Sequence, residues 1–151
     1  MDRGQELRYL VLALQREGNR QLMETLRPLK LTPAQAEVMQ VLAQYQPMTL
    51  LQVGERLVCE TGSPSRLVNS MVEAGWVKKS PNPADGRAVL LRLTAAAESM
   101  QPALNAIDAQ FNEGVASAFS DEVLTALLDY LWSAAIDTPS GQALQRRKHN
   151  E

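Results

Sequence analysis

Polar side chains gather in one stretch of this sequence, between Ser63 and Arg92, at spacings that suit a polyanion. Ser63, Ser65, Arg66, Asn69 and Ser70 fall on the polar side of a short helix-forming run. Small hydroxyls with one Arg and one Asn reach base edges and phosphates there without steric conflict; in the major groove Arg suits guanine and Asn suits adenine. Lys78, Lys79, Arg87 and Arg92 follow within about fifteen residues, with Asp85 two positions before Arg87. All four cations can serve phosphates or a narrow groove. Double-stranded DNA is the partner that these residues imply.

Other chemistry is thinly provided for. One cysteine, Cys59, makes no internal disulfide and fits a reducing compartment, and one histidine, His149, leaves little for a metal site. No base is paired with a nucleophile, and there is no cluster of metal ligands and no phosphate loop. An enzyme is therefore the weakest class, and no metal or cofactor is expected. With 45% hydrophobic, 5% aromatic and 21% charged residues, the 151-residue chain has the makings of a folded core. It has no apolar run of the ~18 residues that a membrane span needs. Its charged start, Met1-Asp2-Arg3-Gly4-Gln5-Glu6, resembles neither a signal nor a transit peptide, so the expected location is the cytoplasm.

A net charge of -2 would ordinarily argue against a nucleic-acid binder. Divided by segment, it argues the other way. Residues 30–94 hold seven basic residues and five acids, whereas residues 95–137 hold seven acids and no Lys or Arg. The middle of the chain is mildly basic, and the acidity sits in a block that can face away from DNA.

The elements that must position these residues follow from periodicity and caps. Leu7, Leu10, Val11, Leu14, Leu22 and Leu26 recur at three- and four-residue steps, which predicts a long helix from Glu6 to Leu26, weakened at Gly18-Asn19 and ended by Pro28. Thr32-Pro33 with Gln35 predicts a helix start running to about Tyr45, and Thr49 with Gln52 predicts another, short one. Ser63-Pro64 opens the helix that carries the polar cluster, burying Leu67, Val68, Met71 and Val72, and Gly75 stops it. The period then switches to two over Trp76 to Ser80 and Ala88 to Leu93, with Val89, Leu91 and Leu93 on one face and an Asp85-Gly86 turn at the tip. Two more amphipathic helices follow, one from Thr94 with Pro102 as a kink or late start, the other capped by Ser120 and carrying Leu124, Leu127, Leu128 and Leu131. From Asp137 the chain turns polar and is expected to fray.

Three short helices followed at once by a hairpin make a winged helix-turn-helix, whose last helix enters the major groove. The expected fold is mainly α with a small β-hairpin wing. Residues 1–30 form an N-terminal helix and 31–94 the winged domain, while 95–137 form C-terminal helices and 138–151 a flexible tail.

At the level of motif, Thr49-Leu50-Leu51-Gln52-Val53-Gly54-Glu55-Arg56-Leu57, Arg66 to Val77, Asp85-Gly86-Arg87 and Leu91-Arg92-Leu93-Thr94 resemble the MarR family of bacterial transcription regulators. The resemblance covers roughly residues 5 to 136. It implies a homodimer in which the N-terminal and C-terminal helices of two chains interlock, a near-palindromic operator, and a repressor relieved by a small aromatic or phenolic ligand. By the same resemblance Arg87 enters the minor groove, Asp85 braces the wing, and Ser65, Arg66, Asn69 and Ser70 face the major groove. Ala97 replaces the Gly usual after the Leu-Thr pair, and Pro64 sits at the start of the reading helix.

Two further readings stay open beside their plainer alternatives. Arg16, Arg20, Met39 and Trp76 are candidate effector liners; Met39 and Trp76 equally suit the core, and the arginines a solvated face. Cys59 is a candidate redox sensor, although no Lys or Arg adjoins it and the family's sensing cysteines lie in the first helix, where this chain has none. A winged module used for protein association, its wing charges serving an acidic partner, is the remaining alternative. The basic Arg146-Arg147-Lys148 of the tail reads as a frayed, solubilising end or as a DNA contact.

Overall fold

The computed structural model describes residues 1–59 and 62–148, so His149 lies outside the described residues. Helix α1 spans Arg3–Leu26, capped by Asp2, whose carboxylate accepts the Gln5 amide N–H at 2.8 Å. Gly18 lies within α1 without interrupting it, and a 3-10 turn over Arg27–Leu29 follows. Lys30 then turns the chain with φ 56°, a left-handed conformation that favours glycine.

Helix α2, Pro33–Tyr45, begins with both halves of a capping box: the Gln35 N–H donates to Thr32 Oγ1 at 3.2 Å, and the Thr32 N–H donates to Gln35 Oε1 at 2.9 Å. The same device starts the short α3, Leu50–Gly54, with Thr49 and Gln52. Helix α4, Pro64–Glu73, is capped by Ser63 and has Pro64 in its first turn. A Cβ added at Gly54 would lie 3.4 Å from the Pro64 ring, at ordinary contact distance, so α3 and α4 meet here with little room to spare. The α4 helix ends where Gly75, at φ 77°, donates its N–H to Val72 while the Trp76 N–H reaches the Met71 carbonyl. That pair of bonds is a Schellman stop.

The sheet has three antiparallel strands. β1 (Met48–Thr49), β2 (Val77–Pro81) and β3 (Val89–Leu93) lie in the order β1-β3-β2, with Val77 opposite Leu93 and Met48 opposite Leu91. The hairpin strands follow their expected ranges to within a residue. β1 is an addition, because two residues recruited by a distant partner carry no local period. Helices α5 (Ala95–Ala116), α6 (Asp121–Ala135) and α7 (Pro139–Lys148) complete the chain. Pro102 is carried inside α5, which starts at its Thr94 cap rather than late.

The core is centred on the winged domain. Val38, Met39 and Leu42 from α2, Val53 from α3, Val68 and Met71 from α4, and Val77, Leu91 and Leu93 from the wing are essentially sealed, joined by Leu26 and Leu104 from the flanking helices. Each such side chain contributes roughly 1.5–3 kcal/mol by burial. By contrast α1 buries only Leu26, and α6 buries none of its residues.

The tail departs from expectation. Rather than fraying, Pro139–Lys148 folds as α7 and returns to the winged domain, burying Gly141 and Ala143. Thr138 caps it by accepting the Gly141 N–H at 3.0 Å, and a Cβ at Gly141 would collide with the Ala135 carbonyl oxygen. Two small residues in a polar segment give too little periodicity to be seen as a helix face. Gly141 serves here because its contact with the end of α6 needs close approach more than apolar bulk.

Candidate nucleic-acid interface

The α4 helix and the wing each present exposed polar side chains. Ser65, Arg66, Asn69 and Ser70 are all exposed, while Val68 and Met71 anchor the opposite side of the same helix. Ser63 and Ser65 place their hydroxyls 3.2 Å apart at the helix start. The Ser70 hydroxyl donates back to the Leu67 carbonyl at 2.7 Å, which commits its proton and leaves its oxygen to accept.

The wing tip is built from side-chain acceptors. Asp85 Oδ1 accepts the Arg87 N–H at 2.9 Å, and Asn82 Oδ1 accepts the Ala84 N–H at 3.0 Å. Gly86 is not left-handed, so the tip differs from the Asp-Gly hairpin turn that the sequence suggests. Seven residues between the strands give room for two Asx turns instead. Asp85 thus spends one carboxylate oxygen on the backbone, and among the described residues it forms no ion pair with the Arg87 guanidinium. Val89, expected inward beside Leu91 and Leu93, is 41% exposed at this end, where the hairpin has outrun the core.

Across the wing Lys78 stands directly opposite Arg92, both exposed. Like charges placed so are mutually destabilising. Among the described residues none of Arg66, Lys78, Arg87 and Arg92 takes part in an ion pair. Lys79 differs: its ammonium donates to Asn69 Oδ1 at 2.8 Å, joining the wing to α4.

Apart from these residues lies a feature with no sequence signal beyond an acid within an apolar helix. Glu37 on α2 is only 6% exposed, and its two oxygens accept the Val58 and Cys59 N–H groups at 2.9 and 2.8 Å. It is also ion-paired with Arg147 of α7. Arg147 Nε donates to the Arg56 carbonyl at 2.7 Å, the Tyr45 hydroxyl donates to the Arg147 carbonyl at 2.8 Å, and the Arg56 guanidinium lies 5.1 Å from the Tyr45 ring centre. One buried carboxylate therefore ties the segment leading toward α4 to the C-terminal helix. Arg147 is accordingly a structural residue, Arg146 donates to the Glu55 carbonyl, and Lys148 lies over the Trp132 ring.

The remaining candidates do not converge. Met39 is fully buried in the core and cannot line an open cleft, while Trp76 packs at the core's edge. Arg20 is held between Glu17 and Glu24 at 2.5 and 2.8 Å on exposed α1, and its hydrogen bond keeps the Glu17 carboxyl below its ordinary value. Arg16 is exposed on the same helix. Surface cavities of 470, 530, 590 and 550 Å³ are lined by other residues. Cys59 is exposed, but partial desolvation by its surroundings and the neighbouring Glu37 carboxylate push its thiol up to about 11, which disfavours the thiolate at neutral pH. That environment opposes the redox-sensor reading.

Comparison with known proteins agrees with the geometry. Residues 31–97 match a winged helix DNA-binding domain. Over 124 residues, 81% of this chain and 85% of the relative, the sequence is 30% identical to the multiple antibiotic resistance protein MarR of Escherichia coli. The chain belongs to the MarR family. Its fold is that of solved MarR structures: a mutant Escherichia coli MarR complexed with operator DNA has a TM-score of 0.79 at 24% identity, covering 89% of this chain and 99% of that one. The PcaV transcriptional regulator of Streptomyces coelicolor, in complex with its natural ligand, has a TM-score of 0.74 at 21% identity, covering 91% and 96%. As a MarR-family protein the chain is a DNA-binding transcription regulator and not an enzyme. No helix among the described residues is long and apolar enough to cross a membrane.

Proposed function

We propose that this MarR-family regulator works as a homodimeric repressor in the cytoplasm, gripping near-palindromic double-stranded DNA with two winged domains about one helical turn apart. The observation that carries the DNA half of this reading is the opposition of Lys78 and Arg92, two exposed cations that form no ion pair among the described residues. A polyanion relieves that repulsion. Ser63, Ser65, Arg66, Asn69 and Ser70 then enter the major groove, Arg87 enters the minor groove with Asp85 bracing the tip, and Lys78, Lys79 and Arg92 serve the wing's contacts. The dimer half rests on residues 1–30 and 95–137, where Leu7, Leu10, Val11 and Leu14 of α1 and Leu127, Leu128 and Leu131 of α6 stand exposed. An apolar surface of that kind marks an interface.

A gel shift on the DNA upstream of its own gene tests the reading. A salt-sensitive complex is expected, weakened on the order of tenfold by Arg87→Ala. No complex, or one indifferent to that substitution, counts against it. Relief by a small aromatic or phenolic acid is the regulatory part of the proposal, and it follows from a ligand favouring another spacing of the two reading heads. Titrating such acids into the preformed complex should release DNA; complexes stable at saturating acid would remove the effector from the scheme.

A further inference from the structure

The bond between Lys79 and Asn69 bears on which base the reading helix selects. Resting on the reading of α4 as the major-groove helix, we propose that Lys79 is a specificity-determining residue that turns Asn69 from an adenine reader into part of a guanine reader.

Asparagine recognises adenine because its amide offers one donor and one acceptor, matching N7 and the N6 amino group. Here the acceptor half is engaged: Lys79 Nζ lies 2.8 Å from Asn69 Oδ1. A lysine ammonium has only donors, so its partner must be the amide oxygen, and this fixes which way the amide faces. The amide nitrogen is left for the groove. Oδ1 keeps a second lone pair, but an adenine amino group approaching it would meet the ammonium hydrogens, donor against donor. Guanine has no such conflict. Its N7 accepts from Asn69 Nδ2, and its O6 accepts from a remaining Lys79 hydrogen.

The surroundings leave the pair free to act together. Both residues are exposed, and no carboxylate forms a salt bridge with Lys79 among the described residues. Lys79 is anchored in the β2–β3 ladder opposite the buried Leu91, and Asn69 lies between the buried Val68 and the exposed Ser70 on α4. Two rigid elements thus present a composite donor fork, one prong from the helix and one from the wing.

Selection of bound sequences from random duplex DNA tests this with the full-length protein and three variants. Wild type should enrich guanine at one column of each half-site. Lys79→Met should move that column toward adenine, with about a tenfold loss of guanine preference. Lys79→Arg, which keeps a donor, should retain guanine, and Asn69→Ala should flatten the column while the rest of the motif persists. Should the Lys79→Met motif equal that of wild type, with only a uniform loss of affinity and a shallower salt slope, Lys79 is a phosphate contact and the proposal is overturned. A column untouched by Asn69→Ala overturns it too. Failure of wild type to enrich any sequence would instead remove the underlying reading of α4.

Discussion

Leu42 on α2 and Leu131 on α6 are the same residue on helices of similar length, yet the first is fully buried and the second is 53% exposed. The contrast extends to their surroundings. Around Leu42 the winged domain closes upon itself, with α2, α4 and the sheet each supplying sealed side chains. Around Leu131 no residue of α6 is buried: Leu128 is 48% exposed, and elsewhere Leu14 of α1 is 73% exposed. Periodicity of the same quality can thus serve an inner core or an outer contact. Only the neighbours decide which.

The comparison can be broken at either end. Leu42→Ala should have the largest effect on the folding of the chain itself, costing about 2–5 kcal/mol of stability through lost burial and a cavity, read as a fall in the thermal midpoint. Second comes Leu128→Asp combined with Leu131→Asp. An ordinary surface substitution shifts stability by no more than ~0.5 kcal/mol, whereas a homodimer that loses two interface leucines from each chain, at ~1.5 kcal/mol apiece, has its self-association weakened about ten-thousandfold. Sedimentation velocity should find monomers in place of dimers, and an unchanged dimer would show that α6 is only surface. The effect of Leu42→Ala measured in that monomeric background sharpens the point. Equal costs in both backgrounds mean the winged domain stands alone.

A third change lies where the two regions meet. Arg147→Met leaves the buried Glu37 carboxylate with its two backbone donors but without its cation, at a cost of about 1–3 kcal/mol. Hydrogen exchange should show α7 and the segment after Leu57 opening together; opening confined to α7 would mean that Glu37 holds the segment unaided. The smallest effect is expected at Lys30, the left-handed hinge between α1 and the winged domain. Lys30→Gly relieves the crowding of a Cβ at positive φ and should stabilise by up to ~1 kcal/mol, less the added freedom of the unfolded chain. A lower thermal midpoint would contradict this.

Much of this was legible from the residues because it is written locally. Thr32 with Gln35, Thr49 with Gln52, Ser63 with Pro64, and Gly75 each state a helix boundary in two to four neighbouring positions, and the structure uses all of them. The polar side of α4 and the wing cations were legible for the same reason. What escaped depends on distant partners. β1 exists only because β3 pairs with it, Glu37 has its cation only because α7 returns, and the bond from Lys79 to Asn69 joins two residues ten positions apart. Met39 shows the reverse failure: its type suited both a cleft and a core, and only packing chose the core.

The pairing of Glu37 with Arg147 spans 110 positions. During synthesis the winged domain can assemble its helices and sheet well before residue 147 has been made, but through that interval Glu37 lacks its cation. A message cut short within α7 would therefore yield a protein with a complete reading surface and an unfinished foundation. Such a product would open more readily in the segment ahead of α4 and offer proteases an early point of entry.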